Sequence, residues 1–404
     1  MDHDADIIIA GGGLVGGCLA LALSRTPLRV CMLEALSDDE RLQSPAGRRA
    51  LALASGTAQM LDQLAVWQAI APHASPIRHI HVSDRGHFGK TRLHAEQEGV
   101  EALGYVVPAR HVEQAVTEAL LQLESDGRLQ WMRPARVMGC SADEQAAHLS
   151  VMAGAQSHSL SARLLVAADG GHSTVRRLLG IAQKTRDYGQ SALVFEITTQ
   201  RHHEQTAYER FTATGPLACL PLGRKRCSIV WTLEPDTAGH LLQLPEADFR
   251  DHLQRAFGYW LGRVELASSR HLFPLTLVQA ESMVAQRTLL IGNAMHQLHP
   301  VAGQGFNLGL RDAAQLAEHL AVRHSFGEDP GREDALRLYA RARAEDLGQV
   351  IGFTDTLVRL FSTPSIPVAL MRNIGLFTLD LLPPAKHLLA RHAMGLSRRL
   401  PRFS

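Results

Sequence analysis

The apolar positions of this 404-residue chain first form a short run, then an amphipathic stretch, then a second short run. Ile7–Ala10 is uniformly apolar and predicts a buried strand. Good helix formers with an apolar face extend from Leu14 to Ser24, and Arg29–Leu33 predicts another strand. The order strand, helix, strand is typical of a βαβ unit in a parallel sheet.

The turn between the first predicted strand and helix, Gly11-Gly12-Gly13-Leu14-Val15-Gly16, matches GxGxxG, and Glu34 ends the second strand. In a dinucleotide site the first glycine makes the turn and the second admits the pyrophosphate. The third lets the helix pack on the strand, and the acid accepts from ribose hydroxyls. Gly11, Gly13, Gly16 and Glu34 are therefore predicted to bind a dinucleotide. The alternative is a glycine-rich turn without a ligand, with Glu34 as a solvated acid.

A second turn with this local order lies in the middle of the chain. Ala162–Ala168 predicts a strand, Asp169-Gly170 follows it, and Thr174–Leu179 predicts a short helix. In the functional hypothesis Asp169 accepts from a cofactor hydroxyl, Gly170 belongs to the same site, and Arg176 lies near a phosphate. In the alternative, Asp169 is a turn or helix-capping residue.

A third strand, turn and helix appear late, where Thr288–Ile291 predicts a strand and a helical pattern begins near Gly305. A helix N-terminus offers unpaired N–H groups and a positive dipole end, and glycines allow a flat ring to approach the backbone. The predicted contacts are Gly292, Asn293, Pro300, Gly303, Gln304, Gly305 and Asn307. The alternatives are a strand-end turn residue for Asn293 and a helix N-cap for Asn307.

Composition narrows the possible functions. The chain is 46% hydrophobic, which suits a large core. Its formal net charge of +1 gives no overall positive electrostatic field that would attract nucleic acid. Its five cysteines contain no CxxC pair, which favours buried, inert thiols in a reduced compartment. His296 and His299 have no nearby acid or cysteine to complete a metal site, so no metal is predicted. The acids and glycines of the N-terminal stretch argue against a signal peptide or a spanning helix.

Together the three turns resemble the class A flavoprotein aromatic hydroxylases, of the para-hydroxybenzoate hydroxylase type. The family pattern is an initial GxGxxG, a strand followed by DG, and a late GDAxHxxxPxxGQGxN, and the resemblance covers essentially the whole chain. One residue departs from it, because Asn293 stands where the family usually has Asp. That asparagine, the following LHPVAGQGFNLGLRD and the segment Phe211–Leu222 resemble the ubiquinone-biosynthesis hydroxylases, most of all the 2-polyprenyl-6-methoxyphenol hydroxylase branch.

The resemblance implies an FAD-dependent monooxygenase that hydroxylates a polyprenylated phenol, with NAD(P)H and O2, through a flavin C4a-hydroperoxide. It also implies that Arg48 and Arg110 lie in the cofactor region; the alternative is that both are solvated surface arginines. No side-chain catalyst is predicted, since the cofactor carries the chemistry. Three alternatives remain: another ring-hydroxylation step of the ubiquinone pathway, a non-catalytic FAD-binding subunit of a biosynthetic assembly, or a flavin halogenase. The last would be expected to show a WxWxIP segment, whereas the tryptophans here are isolated.

The predicted fold class is α/β: a Rossmann-like FAD-binding domain, an antiparallel β-sheet substrate domain and a helical C-terminal region. Alternating or β-rich segments between Leu193 and Leu233, with a turn at Gly223–Arg226, indicate the antiparallel sheet. The predicted boundaries are 1–75, 101–182 and 275–345 for the FAD-binding domain, 76–100 and 183–274 for the substrate domain, and 346–404 for the helical region.

The C-terminal residues combine basic and apolar side chains, and no acid follows Asp380. One hypothesis is an element that contacts a membrane surface or a ubiquinone-biosynthesis assembly. The alternative is a terminal helical cap with a solvated basic face. The expected location is cytoplasmic, with peripheral contact at the inner face of the membrane.

Overall fold

The computed structural model describes residues 3–43, 49–297, 303–362 and 366–403. Its strands are, in chain order, β1 (Ala5–Ala10), β2 (Val30–Leu33), β3 (Ala50–Ala54), β4 (Ser75–Ile77), β5 (His79–Asp84), β6 (Lys90–His94), β7 (Gly104–Pro108), β8 (Gln130–Met132), β9 (Ala135–Ala142), β10 (Ala147–Ala153), β11 (Gln156–Ala167), β12 (Gln183–Thr199), β13 (Thr206–Thr212), β14 (Gly215–Pro221), β15 (Arg226–Leu233), β16 (Val264–Leu266), β17 (His271–Ala280), β18 (Val284–Ala285), β19 (Thr288–Leu290) and β20 (His296–Gln297).

The α-helices of the described residues are α1 (Leu14–Leu23), α2 (Asp38–Gln43), α3 (Ser55–Gln63), α4 (Trp67–Ile70), α5 (Ala109–Ser125), α6 (Thr174–Leu178), α7 (Pro235–Gln243), α8 (Glu246–Phe257), α9 (Gln304–Ser325), α10 (Glu333–Ser362), α11 (Ile366–Leu381) and α12 (Pro383–Ala393). None of them is long and apolar enough to cross a membrane.

The first sheet has the strand order β18-β19-β11-β1-β2-β8, and β10 and β9 extend it from β11. β1 pairs in parallel with β2 and β11, and β11 pairs in parallel with β19. Ala10 lies opposite both Leu33 and Ala167, and Ala167 lies opposite Leu290. The carboxyl ends of these four strands therefore lie along one edge, where ligands bind in such sheets.

The second sheet has the order β20-β17-β12-β15-β14-β13-β5-β6 and is mostly antiparallel. One face packs Phe195 and Trp231 against Phe249 of α8. The opposite face, called the inner face below, contacts the small sheet β3-β7-β4, because Ala207 of β13 packs with Val106 of β7. Part of this face stays accessible, because Ala218 of β14 and Val230 of β15 are only half-buried, and this accessible part is called the cleft below.

The helical C-terminal region docks on the hairpin of β5 and β6. The guanidinium of Arg372 in α11 lies 2.7 Å from Asp84 Oδ2, and Asn373 Nδ2 donates to the same oxygen at 2.9 Å. The predicted fold class is confirmed. The domain boundaries stay a prediction; β17 runs to Ala280, past the expected limit at 274.

Candidate cofactor-binding site

The three predicted turns converge at the carboxyl edge of the parallel sheet. The first and middle turns touch, since a Cβ placed on Gly11 would lie 2.5 Å from the carbonyl oxygen of Ala168. A Cβ on Gly292 would lie 3.2 Å from Val15 Cγ1, so the late turn contacts the start of α1. Segments far apart in sequence therefore form one site.

The glycines of the first turn have two different roles. A Cβ on Gly16 would lie 2.0 Å from the Gly11 carbonyl oxygen, and Gly11 itself has φ +107°, so the fold requires both glycines. A Cβ on Gly13 would meet no atom within 4 Å. This open space lies at the N-terminus of α1, where the sequence predicts the approach of a pyrophosphate.

Glu34 stabilises the first turn through hydrogen bonds. Its Oε2 accepts from the Gly12 N–H at 2.8 Å, and its Oε1 accepts from the Leu36 N–H at 2.9 Å. An ionised carboxylate has about four acceptor positions, so capacity for ribose hydroxyls remains. Trp131 Nε1 lies beside Gly12, is buried, and has no hydrogen-bond partner among the described residues. This indole was not among the site residues predicted from the sequence.

The middle turn combines the two hypotheses made for it. Asp169 Oδ2 caps α6, accepting from the N–H groups of Thr174 at 2.7 Å and Val175 at 3.1 Å, and Gly170 follows with φ +83°. Asp169 Oδ1 is buried and has no partner in the part of the chain that the structure describes. This oxygen keeps the predicted acceptor role for a cofactor hydroxyl open.

Arg176 is placed differently from the expectation. Its guanidinium donates to the carbonyl oxygens of Ala294 at 2.6 Å and Gly171 at 2.8 Å, and to Gln183 Oε1 at 2.5 Å. These contacts join the middle turn to the late turn, and the side chain is buried. In place of the expected phosphate, Arg176 binds protein oxygens.

The late turn presents backbone and one asparagine to open space. Asn293 is exposed, and Gly303 has φ +62° at the start of α9, where Gln304 is the first residue. A Cβ on Gly305 would meet no atom within 4 Å, whereas one on Gly303 would lie 2.7 Å from Ala52 Cβ. The helix start therefore has room for a ring. Pro300 and His299 lie outside the described residues.

Asn307 is neither an N-cap nor a free donor. Its Oδ1 accepts from the Ala54 N–H at 2.9 Å, and its Nδ2 donates to the carbonyl oxygens of Ala52 and Gly303, both at 2.9 Å. Both amide hydrogens are used inside the protein. The side chain fixes the start of α9 to β3, which positions the backbone N–H groups predicted to face the cofactor.

A buried charged cluster centred on Asp312 supports the late turn, and Asp312 was not among the residues predicted from the sequence. The Gly292 N–H and His296 Nε2 lie 3.0 and 2.7 Å from Asp312 Oδ2, and Arg343 Nε donates to Oδ1 at 2.8 Å. Burial raises the pKa of Asp312, but Arg343 and His296 outweigh burial and lower it to about 2. The available signal was an acid directly after Arg311, among small and apolar residues of α9.

Of the two predicted arginines, Arg110 lies in the described part of the chain. Arg110 is exposed in the first turn of α5, and the Ala109 N–H donates to the Arg49 carbonyl oxygen at 2.8 Å. Arg48 lies outside the described residues but is the neighbour of Arg49. Their contact with a cofactor stays a prediction.

The site suits an extended dinucleotide. Space at Gly13 faces the positive end of α1, Asp169 Oδ1 has no partner among the described residues, and space at Gly305 faces the start of α9. A model of the FAD binding domain matches residues 4–353. The chain belongs to this FAD-binding family. FAD is its cofactor, and NAD(P)H as co-substrate is typical of the family.

Similarity to known relatives extends along the whole chain. It is 38% identical to "Ubiquinone hydroxylase UbiL" of Rhodospirillum rubrum over 395 residues, covering 98% of this chain and 90% of the relative. It is 39% identical to "Uncharacterized protein slr1300" of Synechocystis, covering 100% and 96%. Identity to "3-demethoxyubiquinol 3-hydroxylase" of Escherichia coli is 29%, covering 98% and 100%.

Solved structures share the fold. p-Nitrophenol 4-monooxygenase PnpA from Pseudomonas putida has a TM-score of 0.78 at 19% identity, covering 99% of this chain and 100% of that one. PqsL from Pseudomonas aeruginosa, a probable FAD-dependent monooxygenase, has a TM-score of 0.76 at 22% identity, covering 93% and 99%. Together with the family match, the protein is an FAD-dependent aromatic monooxygenase.

Proposed function

We propose that the protein hydroxylates the ring of a polyprenylated phenol in ubiquinone biosynthesis, with NAD(P)H and O2 as co-substrates. The observation that carries the proposal is the convergence of the three turns around space at Gly13 and Gly305 that suits FAD. The similarity to relatives named for ubiquinone and demethoxyubiquinol hydroxylation supports the substrate class. Hydroxylation of a 2-polyprenyl-6-methoxyphenol is the proposed step, with another ring position of the same pathway as the alternative.

Hydride acceptance from NAD(P)H and activation of O2 are the chemistry that FAD supplies when bound. The protein contributes binding and orientation. The N-terminus of α1 at Gly13 would hold the pyrophosphate, and Glu34 and Asp169 would accept from hydroxyls of the cofactor. The N–H groups at Gly303–Gly305 would stabilise negative charge on its ring.

The inner face suits an aromatic ring with an apolar tail. Ala218 and Leu220 of β14 and Val230 of β15 point to this face and are only half-buried. Their accessible surface faces the cleft, and burying it under a substrate is favourable by about 25 cal/mol per Å². An apolar cleft also excludes water from the reacting ring.

The test is turnover by the FAD-loaded protein. With NAD(P)H, O2 and a short-chain 2-prenylphenol we expect consumption of NAD(P)H and a product one oxygen atom heavier, measured by mass spectrometry. The same phenol without its prenyl group should react more slowly, because it buries less apolar surface. No NAD(P)H consumption with any prenylphenol would favour the non-catalytic subunit.

The C-terminal segment after α11 supports the cap hypothesis rather than a free basic tail. Lys386 Nζ lies 3.1 Å from Asp380 Oδ1, and Arg399 Nη2 lies 2.7 Å from Glu318 Oε1. The Met394 carbonyl oxygen accepts from the Gly56 N–H at 2.9 Å, and Met394 packs in a core cluster with Leu93. The segment closes onto the body of the protein.

We propose that α11, rather than the segment after it, contacts the membrane. The side of α11 away from Asp84 exposes large apolar side chains, with Met371 70% and Phe377 49% exposed. Phe88, at the tip of the β5–β6 hairpin, is 60% exposed, with its ring centroid 6.4 Å from that of Phe377. Arg85 and Lys90 beside it are exposed cations. An apolar patch with a basic rim suits an anionic bilayer, where a lipid-tailed phenol resides.

Met371→Ser/Phe377→Ser should weaken sedimentation with anionic vesicles by roughly thirtyfold to several hundredfold. The exposed 70% and 49% of the two side chains correspond to about 2–4 kcal/mol, at about 1.5–3 kcal/mol per fully buried apolar side chain. The matched control is Met138→Ser/Phe326→Ser, which removes the same residue types, 59% and 76% exposed, from elsewhere on the surface. Equal vesicle binding by the two variants would contradict the assignment. Loss of a dimer in sedimentation velocity, without loss of vesicle binding, would instead assign the patch to a second copy of the chain.

A further inference from the structure

One ionisable side chain of the inner face has no role in the account so far. Along β13, Ala207, Glu209 and Phe211 point to the inner face, and Tyr208 and Arg210 point to the opposite face. Ala207 packs against β7, and Phe211 is buried. Glu209 lies between these two buried residues on the same face of β13, so its side chain faces the cleft.

The neighbours of Glu209 do not compensate its charge. Directly opposite it stand Ala218 of β14 and Val82 of β5. In the described ranges no hydrogen bond or ion pair reaches its carboxylate. Burial raises its pKa to about 7. The charged groups nearest along the strands are engaged elsewhere, since Arg210 lies over Trp260 and Asp84 is held by Arg372.

Glu209 nevertheless retains accessible surface. The residue is only half-buried although it stands in an inner strand with β14 on one side and β5 on the other. Ala218 and Ala207 are small, so the space in front of the carboxylate is not filled by its own sheet. A carboxyl that has no partner in the described part of the chain and stands among apolar side chains is costly unless a ligand uses it.

We propose that Glu209 contacts the substrate and accepts the hydrogen bond, and during turnover the proton, of its phenolic hydroxyl. The assignment rests on the proposed function, which supplies the phenol. A phenol in water has a pKa of about 10, so a carboxylate of raised basicity is a better acceptor than an ordinary one.

The proton balance closes within one turnover. The phenolic O–H bond breaks and its proton bonds to a carboxylate oxygen of Glu209. The electron pair stays on the phenolic oxygen and enriches the ring carbon that forms the new C–O bond. The new oxygen comes from O2, whose O–O bond breaks, while NAD(P)H supplies two electrons and the second oxygen atom leaves as water. That carbon then loses its hydrogen as a proton to water, and Glu209 returns the first proton to the oxygen as the aromatic phenol forms again.

The experiment compares FAD-loaded wild type with Glu209→Gln, which keeps the shape but cannot take a proton. We expect unchanged FAD content and melting temperature, a KM for a short-chain 2-prenylphenol within a few-fold, and roughly a hundredfold loss of kcat for product, as for a general base. NAD(P)H consumption should continue with release of hydrogen peroxide. Glu209→Asp, which keeps a carboxylate, should recover part of the product yield.

The matched control is Glu196→Gln on β12 of the same sheet, where the carboxylate pairs with Arg226 at the surface. It should leave product per NAD(P)H unchanged. Wild-type product yield from Glu209→Gln would overturn the proposal.

A second readout needs no turnover. The ultraviolet spectrum of the bound 2-prenylphenol should shift to longer wavelength in wild type, as for a phenol hydrogen-bonded to a carboxylate, and shift less in Glu209→Gln, because a neutral amide is a weaker acceptor. The same shift in both proteins would overturn the assignment. A larger shift in wild type alone, without any hydroxylated product, would contradict the proposed function and still support Glu209 as the acceptor.

Discussion

A Gly13→Val protein should fold and yet purify without FAD. The backbone of Gly13 has φ −70° and ψ −173°, which a branched residue can adopt, and a Cβ there would meet no protein atom within 4 Å. The side chain would instead fill the space at the N-terminus of α1 where the pyrophosphate is predicted to lie. Overpacking costs about 1–3 kcal/mol, roughly a tenfold to hundredfold loss of affinity, and loss of the contacts to the helix N-terminus adds to it.

Titration of apoprotein with FAD, followed by flavin fluorescence, measures the effect. Gly239→Val is the matched control, because a Cβ at Gly239 in α7 also meets no atom within 4 Å and lies outside the site. A folded Gly13→Val protein with wild-type affinity would contradict the placement of the pyrophosphate. Gly16→Val should fail earlier, at folding, since its Cβ would lie 2.0 Å from the Gly11 carbonyl oxygen.

Asp312→Ala should destabilise the fold by about 3–5 kcal/mol, because it leaves Arg343 and His296 buried without their shared carboxylate. The Gly292 N–H also loses its acceptor, so FAD should be lost together with stability. In wild type the folded pKa of Asp312 is lowered to about 2, below the unfolded value of about 3.9. Its stabilisation is therefore complete above about pH 4 and disappears as the pH falls through 2.

Chemical denaturation of both proteins measures the change in unfolding free energy. Asp334→Ala is the control, since Asp334 pairs with Arg332 on the exposed surface and should be replaceable with little effect. Equal stability of Asp312→Ala and wild type would show that the buried cluster does not support the late turn.

The elements of the parallel sheet could be predicted because their signals are local. The run at Ile7–Ala10 is β1, and the patterns at Leu14–Ser24 and Ala162–Ala168 correspond to α1 and the end of β11. Each of the three turns that are predicted to bind the cofactor directly follows such a strand. Because parallel strands end at the same edge, the sequence order of the turns was sufficient to expect one shared site.

The roles that the sequence missed depend on contacts across the fold. Asp312 is defined by Arg343, 31 residues away, and by the Gly292 N–H, 20 residues away. Arg176 was expected at a phosphate because a cation near a dinucleotide turn suggests one, but its guanidinium donates to the Ala294 carbonyl oxygen. The same applies to Asn307, whose partners Ala52 and Ala54 lie in β3.

The C-terminal segment shows that a local charge pattern does not predict which ion pairs form in the fold. The sequence contains no acid after Asp380, which favoured a free basic surface. In the fold, Glu318 of α9 and Glu345 of α10 supply the acids for Arg399 and Arg398. Local composition could not reveal partners that the chain brings from other helices.

The most direct measurement of the central claim is the origin of the new oxygen atom in the product. FAD-loaded protein, NAD(P)H and a short-chain 2-prenylphenol are incubated under O2 enriched in the heavy isotope, and the product is analysed by mass spectrometry. We expect a hydroxylated phenol that carries one heavy oxygen, with none incorporated from labelled water. A product that takes its oxygen from water, or NAD(P)H consumption that yields only hydrogen peroxide with every prenylphenol tried, would contradict the account.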